Sequence, residues 1–106
     1  MGLTNGYIIE QLALKIRNTT TVNTYVSKLN KLTGVMGKSI YDIAKTPHVS
    51  IPKIKELYAG SAFTQKNMIG LMLTVFKYNP DLITKKRQAY NAWVLAMKEY
   101  KSLESV

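Results

Sequence analysis

The chain has 106 residues, and its 15 Lys and Arg outnumber its 6 Asp and Glu, which gives a formal net charge of +9. This length fits one domain of ordinary size and excludes a typical two-domain enzyme. Hydrophobic residues make up 46% of the chain, so a buried core is expected, and the lack of cysteine excludes disulfides and thiolate metal sites.

The first two predicted helices follow from apolar residues that recur every three or four positions. Ile8 and Leu12 belong to the first of these patterns, which predicts a helix over residues 5–17. A polar run at 18–21 then offers several N-caps for a second helix. We expect that helix to end at Gly34, a natural stop for a helix.

Proline positions define the next two helices. A short third helix is predicted over 39–45, because Pro47 disfavours helical geometry in the residue before it. The fourth helix is expected to begin near Ile51. There Ser50 would act as the cap and Pro52 would lie in the first turn, where its missing N–H costs nothing.

The last two predicted helices meet at an Asn-Pro dipeptide. The fifth begins at Ser61 or Thr64 and stops before Asn79, and the sixth begins at Pro80 and continues to about Ser102. The apolar side of this last helix includes four large residues: Tyr90, Trp93, Met97 and Tyr100.

No segment alternates with period two, so the predicted fold class is all-α. We expect a single helical domain over 1–106, a compact bundle of five or six helices with a long C-terminal helix over 81–103. The longest uncharged run, 67–76, is too short to span a membrane, so no integral membrane association is expected. Without a signal-like N-terminus, the expected location is intracellular, in the nucleus, the cytoplasm or a virion.

Motifs for enzymatic chemistry are missing from the sequence. It has no glycine-rich nucleotide loop, no zinc-binding His-Glu-x-x-His and no Gly-x-Ser-x-Gly. The single histidine, His48, lies in a predicted loop beside Pro47. No pair of carboxylates is spaced for acid and base catalysis. We therefore predict no enzyme, no cofactor and no metal.

The basic charge is the remaining signal, and it is spread over the chain. Residues 1–60 carry eight Lys or Arg and three acids, and residues 61–106 carry seven and three. The one cluster consists of Lys85, Lys86 and Arg87. A solvated basic surface is one interpretation. Binding of a polyanion is the other, since affinity for nucleic acid grows with the number of phosphates neutralised.

Two groups of polar residues favour the interpretation that the protein binds nucleic acid. Thr24, Lys28 and Lys31 share one face of the second helix. Thr64, Gln65 and Lys66 lie at the start of the fifth, where backbone N–H groups attract phosphate. Lys and Thr suit phosphate contacts, and Gln suits adenine edges. For the fifth-helix group, simple capping is the alternative.

Residues 20–32 (TTVNTYVSKLNKL) and 61–71 (SAFTQKNMIGL) resemble the N-terminal core-binding domain of tyrosine recombinases, or phage integrases. The resemblance covers residues 18–80 and implies a helical bundle of viral or mobile-element origin. It implies that Thr24, Lys28 and Lys31, together with Thr64, Gln65 and Lys66, face DNA. The recombinase catalytic domain, which should follow this module, does not fit within these 106 residues, so no recombinase activity is expected of them.

The leading hypothesis is a non-enzymatic DNA-binding module whose expected partner is double-stranded DNA, with Lys85, Lys86 and Arg87 counted among the candidate DNA-binding residues. The alternative is a structural or interaction module, such as a small virion or assembly protein. In that case the aromatic face of the last helix would dock on a protein partner or a second copy; the same stripe could instead cover the core. A third interpretation, association of the basic last helix with an anionic membrane surface, is weakened by Glu99 and Glu104.

Overall fold

A computed structural model describes residues 3–104 of the chain, and within this range the ordered elements are seven α-helices and no strands. The helices are α1 (Asn5–Lys15), α2 (Thr19–Met36), α3 (Ile40–Lys45), α4 (Pro47–Leu57), α5 (Ala62–Lys77), α6 (Pro80–Lys85) and α7 (Arg87–Glu104). The predicted all-α class is confirmed, with seven helices where five or six were expected.

Side-chain caps begin four of the helices. The capping oxygens belong to Thr4, Asn18, Ser39 and Ser61, and each accepts a hydrogen bond from the backbone N–H three residues later, at 3.0–3.2 Å. Each such bond satisfies a helix-end donor that has no partner within the helix and stabilises the fold by about 1 kcal/mol. The starts of α1, α2, α3 and α5 are thus encoded locally.

The end of α2 differs from the prediction. The helix continues through Gly34 and ends at Gly37, which has a φ of 64° and so adopts the left-handed conformation that glycine tolerates best. The N–H of Gly37 donates to the carbonyl of Thr33 at 2.8 Å. The predicted stop at Gly34 is wrong, because a glycine that keeps helical dihedrals does not end a helix.

The start of α4 also differs. The helix begins at Pro47 and not near Ile51, and it passes through Pro52. Ser50 is buried inside the helix, where its hydroxyl donates to the carbonyl of Ile43 at 2.8 Å. Ser50 therefore ties α4 to α3 and does not cap a helix.

The predicted long helix over 81–103 is interrupted at Lys86, whose φ of −127° and ψ of 50° are not helical. The chain between Pro80 and Glu104 forms two helices, α6 and α7, and α7 packs against α3, α4 and α5. No glycine or proline lies at this break. The interruption therefore has no local helix breaker to account for it.

A single hydrophobic cluster joins all seven helices. Trp93 of α7 is fully buried, and its indole N–H donates to the carbonyl of Ala44 in α3 at 2.9 Å. Residues from the other helices complete the cluster; its fully buried members include Ile8, Leu12, Leu32, Ile43, Ile54, Ile69, Phe76 and Leu82. The core thus fixes the positions of the outer helix faces.

Candidate nucleic-acid interface

A groove of about 330 Å³ separates the outer faces of α2 and α5. Lys28 of α2 and Lys66 of α5 both line it, although they lie far apart in the sequence. The remaining lining residues are Tyr25, Asn67, Gly70, Leu71, Thr74 and Met97. The fold therefore brings together two of the lysines that the sequence assigned to separate helix faces. We call this feature the α2–α5 groove.

A glycine and a methionine line the groove side by side. Gly70 has no side chain, and a Cβ atom built there would lie 3.2 Å from the terminal methyl carbon of Met97. Met97, which is half-buried, lies below this position and forms part of the lining. A side chain at position 70 would require the Met97 methyl group to shift by a few tenths of an ångström.

The exposed face of α2 extends the groove with a polar surface. Thr20, Asn23, Thr24, Ser27 and Lys28 line a shallow depression along this helix. Lys31 is also exposed and lies on the same face, since it follows Thr24 by seven residues and Ser27 by four. We call these six residues the α2 polar face. The Thr24 hydroxyl donates to the carbonyl of Thr20 at 2.9 Å.

Neither α2 nor α5 contains an acidic residue. The six carboxylates of the chain are Glu10, Asp42, Glu56, Asp81, Glu99 and Glu104, and all lie in the other helices. The two segments 11–41 and 57–80 therefore carry basic charge alone. The two helices that form the main walls of the α2–α5 groove thus contribute no carboxylates to it. The spacing of acids in the sequence could have revealed this pattern, which the sequence reasoning missed.

Two residues predicted to face DNA are engaged inside the bundle. The side-chain amide of Gln65 donates to the carbonyl of Tyr58 at 2.8 Å, and its oxygen accepts a hydrogen bond from the Tyr100 hydroxyl. Thr64 is half-buried, and its hydroxyl pairs with that of Ser61 at 2.9 Å. Of the predicted fifth-helix group, Lys66 is the one that lines the groove. For Thr64 the geometry matches the capping alternative.

The basic cluster at residues 85–87 lies away from the α2–α5 groove. The rings of Phe76 and Tyr90 are 5.4 Å apart, whereas Tyr100 bonds to the first turn of α5, so α7 runs antiparallel to α5. The start of α7 is therefore near the end of α5 that is opposite to Lys66. None of the three cluster residues lines the groove. The structure does not join this cluster to the lysines of α2 and α5.

The predicted aromatic interaction face of the last helix is mostly buried. Trp93 is 0% exposed and Tyr100 is 8% exposed, while Tyr90 and Met97 are half-buried against the core. Burial, followed by the nearby Glu99 charge, raises the pKa of the Tyr100 hydroxyl and keeps it protonated as a donor. The stripe covers the core, as the alternative interpretation held, so these residues do not form an exposed docking face.

A different surface of α7 is open. A groove of about 600 Å³ runs between α4 and α7, which we call the α4–α7 groove. Its lining includes Ile51 and Pro52 from α4 and Ala92 and Ala96 from α7, and Leu95 at its edge is 61% exposed. Sequence reasoning missed this groove, since its residues lie beside the aromatic stripe and not on it.

Within residues 3–104, no three His, Asp or Glu side chains are grouped so that they could hold a metal ion. None of the helices in that range has the length and apolar character needed to cross a bilayer. Comparison with protein-family models, with curated proteins and with solved structures finds no match. The resemblance to recombinase modules thus rests on the two sequence segments alone.

Proposed function

We propose that this protein is a non-enzymatic DNA-binding module that holds duplex phosphates along the α2–α5 groove and the α2 polar face. The main support for this proposal is that Lys28 and Lys66 line the same groove. Lys31 extends the same basic surface along α2. The recombinase-like motifs assign the same three lysines to the side that faces DNA.

The charge distribution supports this function. Each lysine that neutralises a phosphate releases condensed counterions, which is the main source of sequence-independent affinity for DNA. Because α2 and α5 carry no carboxylates, a phosphate strand along them meets no repulsion from their own side chains. A basic surface of this kind also speeds association by electrostatic steering.

The shape of α2 supports it as well. The small side chains of the α2 polar face, namely Thr, Ser and Asn, lie on the N-terminal side of its lysines. Small residues let the helix backbone approach a sugar-phosphate strand closely. The major groove of B-DNA is about 12 Å wide and admits one α-helix. The 18 residues of α2 make it long enough to present this face over several base pairs.

Binding to a labelled DNA duplex across a salt series tests the proposal. We expect complex formation at about 50 mM salt that weakens steeply by about 200 mM. Charge reversal by Lys28→Glu, Lys31→Glu and Lys66→Glu together should abolish it. Lack of binding by the wild-type protein at low salt would refute the proposal.

A second candidate function is self-association through the α4–α7 groove, and the exposed Leu95 favours it. Small alanines on α7 allow close approach of a second copy. Lys55 and Glu99 both line the groove, so a two-fold arrangement would pair opposite charges across it. Sedimentation across a concentration range tests this candidate, with Leu95→Arg expected to hold the protein monomeric. A wild-type chain that stays monomeric throughout would exclude it.

A further inference from the structure

Phe63 is the residue that the proposed phosphate binding leaves unexplained. It lies in the first turn of α5, directly before the half-buried Thr64, and is 70% exposed. It does not belong to the hydrophobic cluster. Single exposed hydrophobic residues are common on protein surfaces, so exposure alone assigns no role. The position of Phe63 on its helix is more informative.

Phe63 lies on the face of α5 that forms the groove wall. Lys66, Asn67, Gly70 and Thr74 follow it by three, four, seven and eleven residues, which is the spacing of one helix face. All four of these residues line the α2–α5 groove. Phe63 therefore continues the wall by one turn beyond Lys66, toward the start of the helix. The ring is placed at one end of the proposed phosphate track.

The spacing along α5 suits one nucleotide. Phe63 and Lys66 are three residues apart, which corresponds to about 4.5 Å along the helix axis. Successive nucleotides of one strand rise by about 3.4 Å along the duplex axis. The two spacings are similar, so a strand with one phosphate near Lys66 would bring a neighbouring nucleotide to the level of Phe63. No carboxylate on α5 opposes that approach.

The exposed Phe63 ring can increase DNA affinity by stacking only if the face of a base is accessible to it. Bases inside a duplex are already stacked on their neighbours, whereas unpaired bases are free to stack on an aromatic side chain. Resting on the function proposed above, we propose that Phe63 stacks on an unpaired base. The preferred substrate of the groove is then a duplex that continues into a single strand.

Three DNA probes with a common duplex test this inference. One is blunt, one carries a single-stranded thymine tail, and one carries an abasic tail with the same number of phosphates. The abasic tail keeps the charge and removes the bases. We expect wild-type protein to bind the thymine-tailed probe about tenfold more tightly than the abasic-tailed probe, which is within the range of base–aromatic stacking.

Variants assign the preference to the ring. Phe63→Ala should remove the difference between the thymine and abasic tails and leave the affinity for the blunt duplex unchanged. Phe63→Trp should keep the difference, because it preserves the aromatic face. Leu14→Ala is the matched control: Leu14 is also 70% exposed, lies on α1 and does not line the α2–α5 groove. An unchanged far-UV circular dichroism spectrum would show that each variant is folded.

The outcomes separate this inference from the proposed function. Failure of the wild-type protein to bind any of the three probes refutes DNA binding as a whole. Equal affinity for the thymine and abasic tails, together with binding of the blunt duplex, overturns the stacking role and leaves the proposed function standing. If the thymine and abasic tails bind equally well and Phe63→Ala has a lower solution mass than the wild type, Phe63 would instead be assigned to self-association.

Discussion

The double variant Lys28→Gln, Lys66→Gln gives the sharpest test of the α2–α5 groove. Each phosphate contact contributes about 0.9 to the slope of log affinity against log salt, so loss of both contacts should reduce the slope by about 1.8. Raising the salt concentration from about 50 to about 200 mM should therefore weaken DNA binding by the wild type about twelvefold more than it weakens binding by the double variant. The wild-type protein should therefore be the more salt-sensitive of the two.

Fluorescence anisotropy of a labelled duplex over a salt series measures both slopes. The matched control is Lys53→Gln, Lys55→Gln on α4, which lowers the net charge of +9 by the same two units without touching the groove. We expect the control slope to equal that of the wild type. Equal slope changes in the two double variants would refute the reasoning, because overall charge and not the groove would then determine binding.

Three further predictions concern the fold, each measured by urea unfolding. Gly34→Ala should stabilise the protein by about 0.5–1 kcal/mol, because Gly34 lies inside α2. Gly37→Ala should destabilise it by about 1–2 kcal/mol, because Gly37 has a positive φ. Equal effects of the two substitutions would contradict the assigned end of α2. Trp93→Phe should lower the free energy of unfolding by about 2–4 kcal/mol, since it leaves a cavity and an unpaired carbonyl. A decrease below about 1 kcal/mol would contradict the central position of Trp93 in the core. Because the folded pKa of Tyr100 is raised above its ordinary value of 10.0, its stabilising effect is complete below pH 10 and is lost as the pH rises further. The wild type should therefore lose stability above pH 10 more steeply than Tyr100→Phe, and parallel pH profiles would contradict this.

The helix starts were predictable because their signals are local. Thr4, Asn18, Ser39 and Ser61 each cap a helix with their own side chain, so a few neighbouring residues contain the whole signal. The all-α class followed in the same way from the spacing of apolar residues. These features depend on residues within one or two turns of each other, which sequence patterns describe well.

The wrong boundaries depend on contacts that sequence patterns do not contain. Gly34 and Gly37 look alike as helix stops, and only the backbone dihedrals distinguish them. Ser50 resembles a cap, but its hydroxyl bonds to α3 across a bend in the chain. At Lys86 the helix is interrupted although no glycine or proline in the sequence marks the position. In each case the local sequence pattern alone does not determine the helix boundary.

The candidate site was predictable in part. The exposed face of α2 followed from its apolar stripe, since residues opposite a buried stripe face solvent. That Lys28 and Lys66 share one groove depends on the three-dimensional arrangement of α2 and α5, which the sequence pattern does not contain. The internal bonding of Gln65 was likewise hidden, because its partners Tyr58 and Tyr100 belong to different parts of the chain.

The close approach of Gly70 to Met97 means that charge and shape in the α2–α5 groove are controlled by different residues. Lys28 and Lys66 supply the charge, while the missing side chain at position 70 leaves room for the Met97 methyl group that lines the groove. Gly70→Ala would make the groove shallower and leave every charge in place. Selection could therefore alter how deeply a strand is seated without altering how strongly it is attracted.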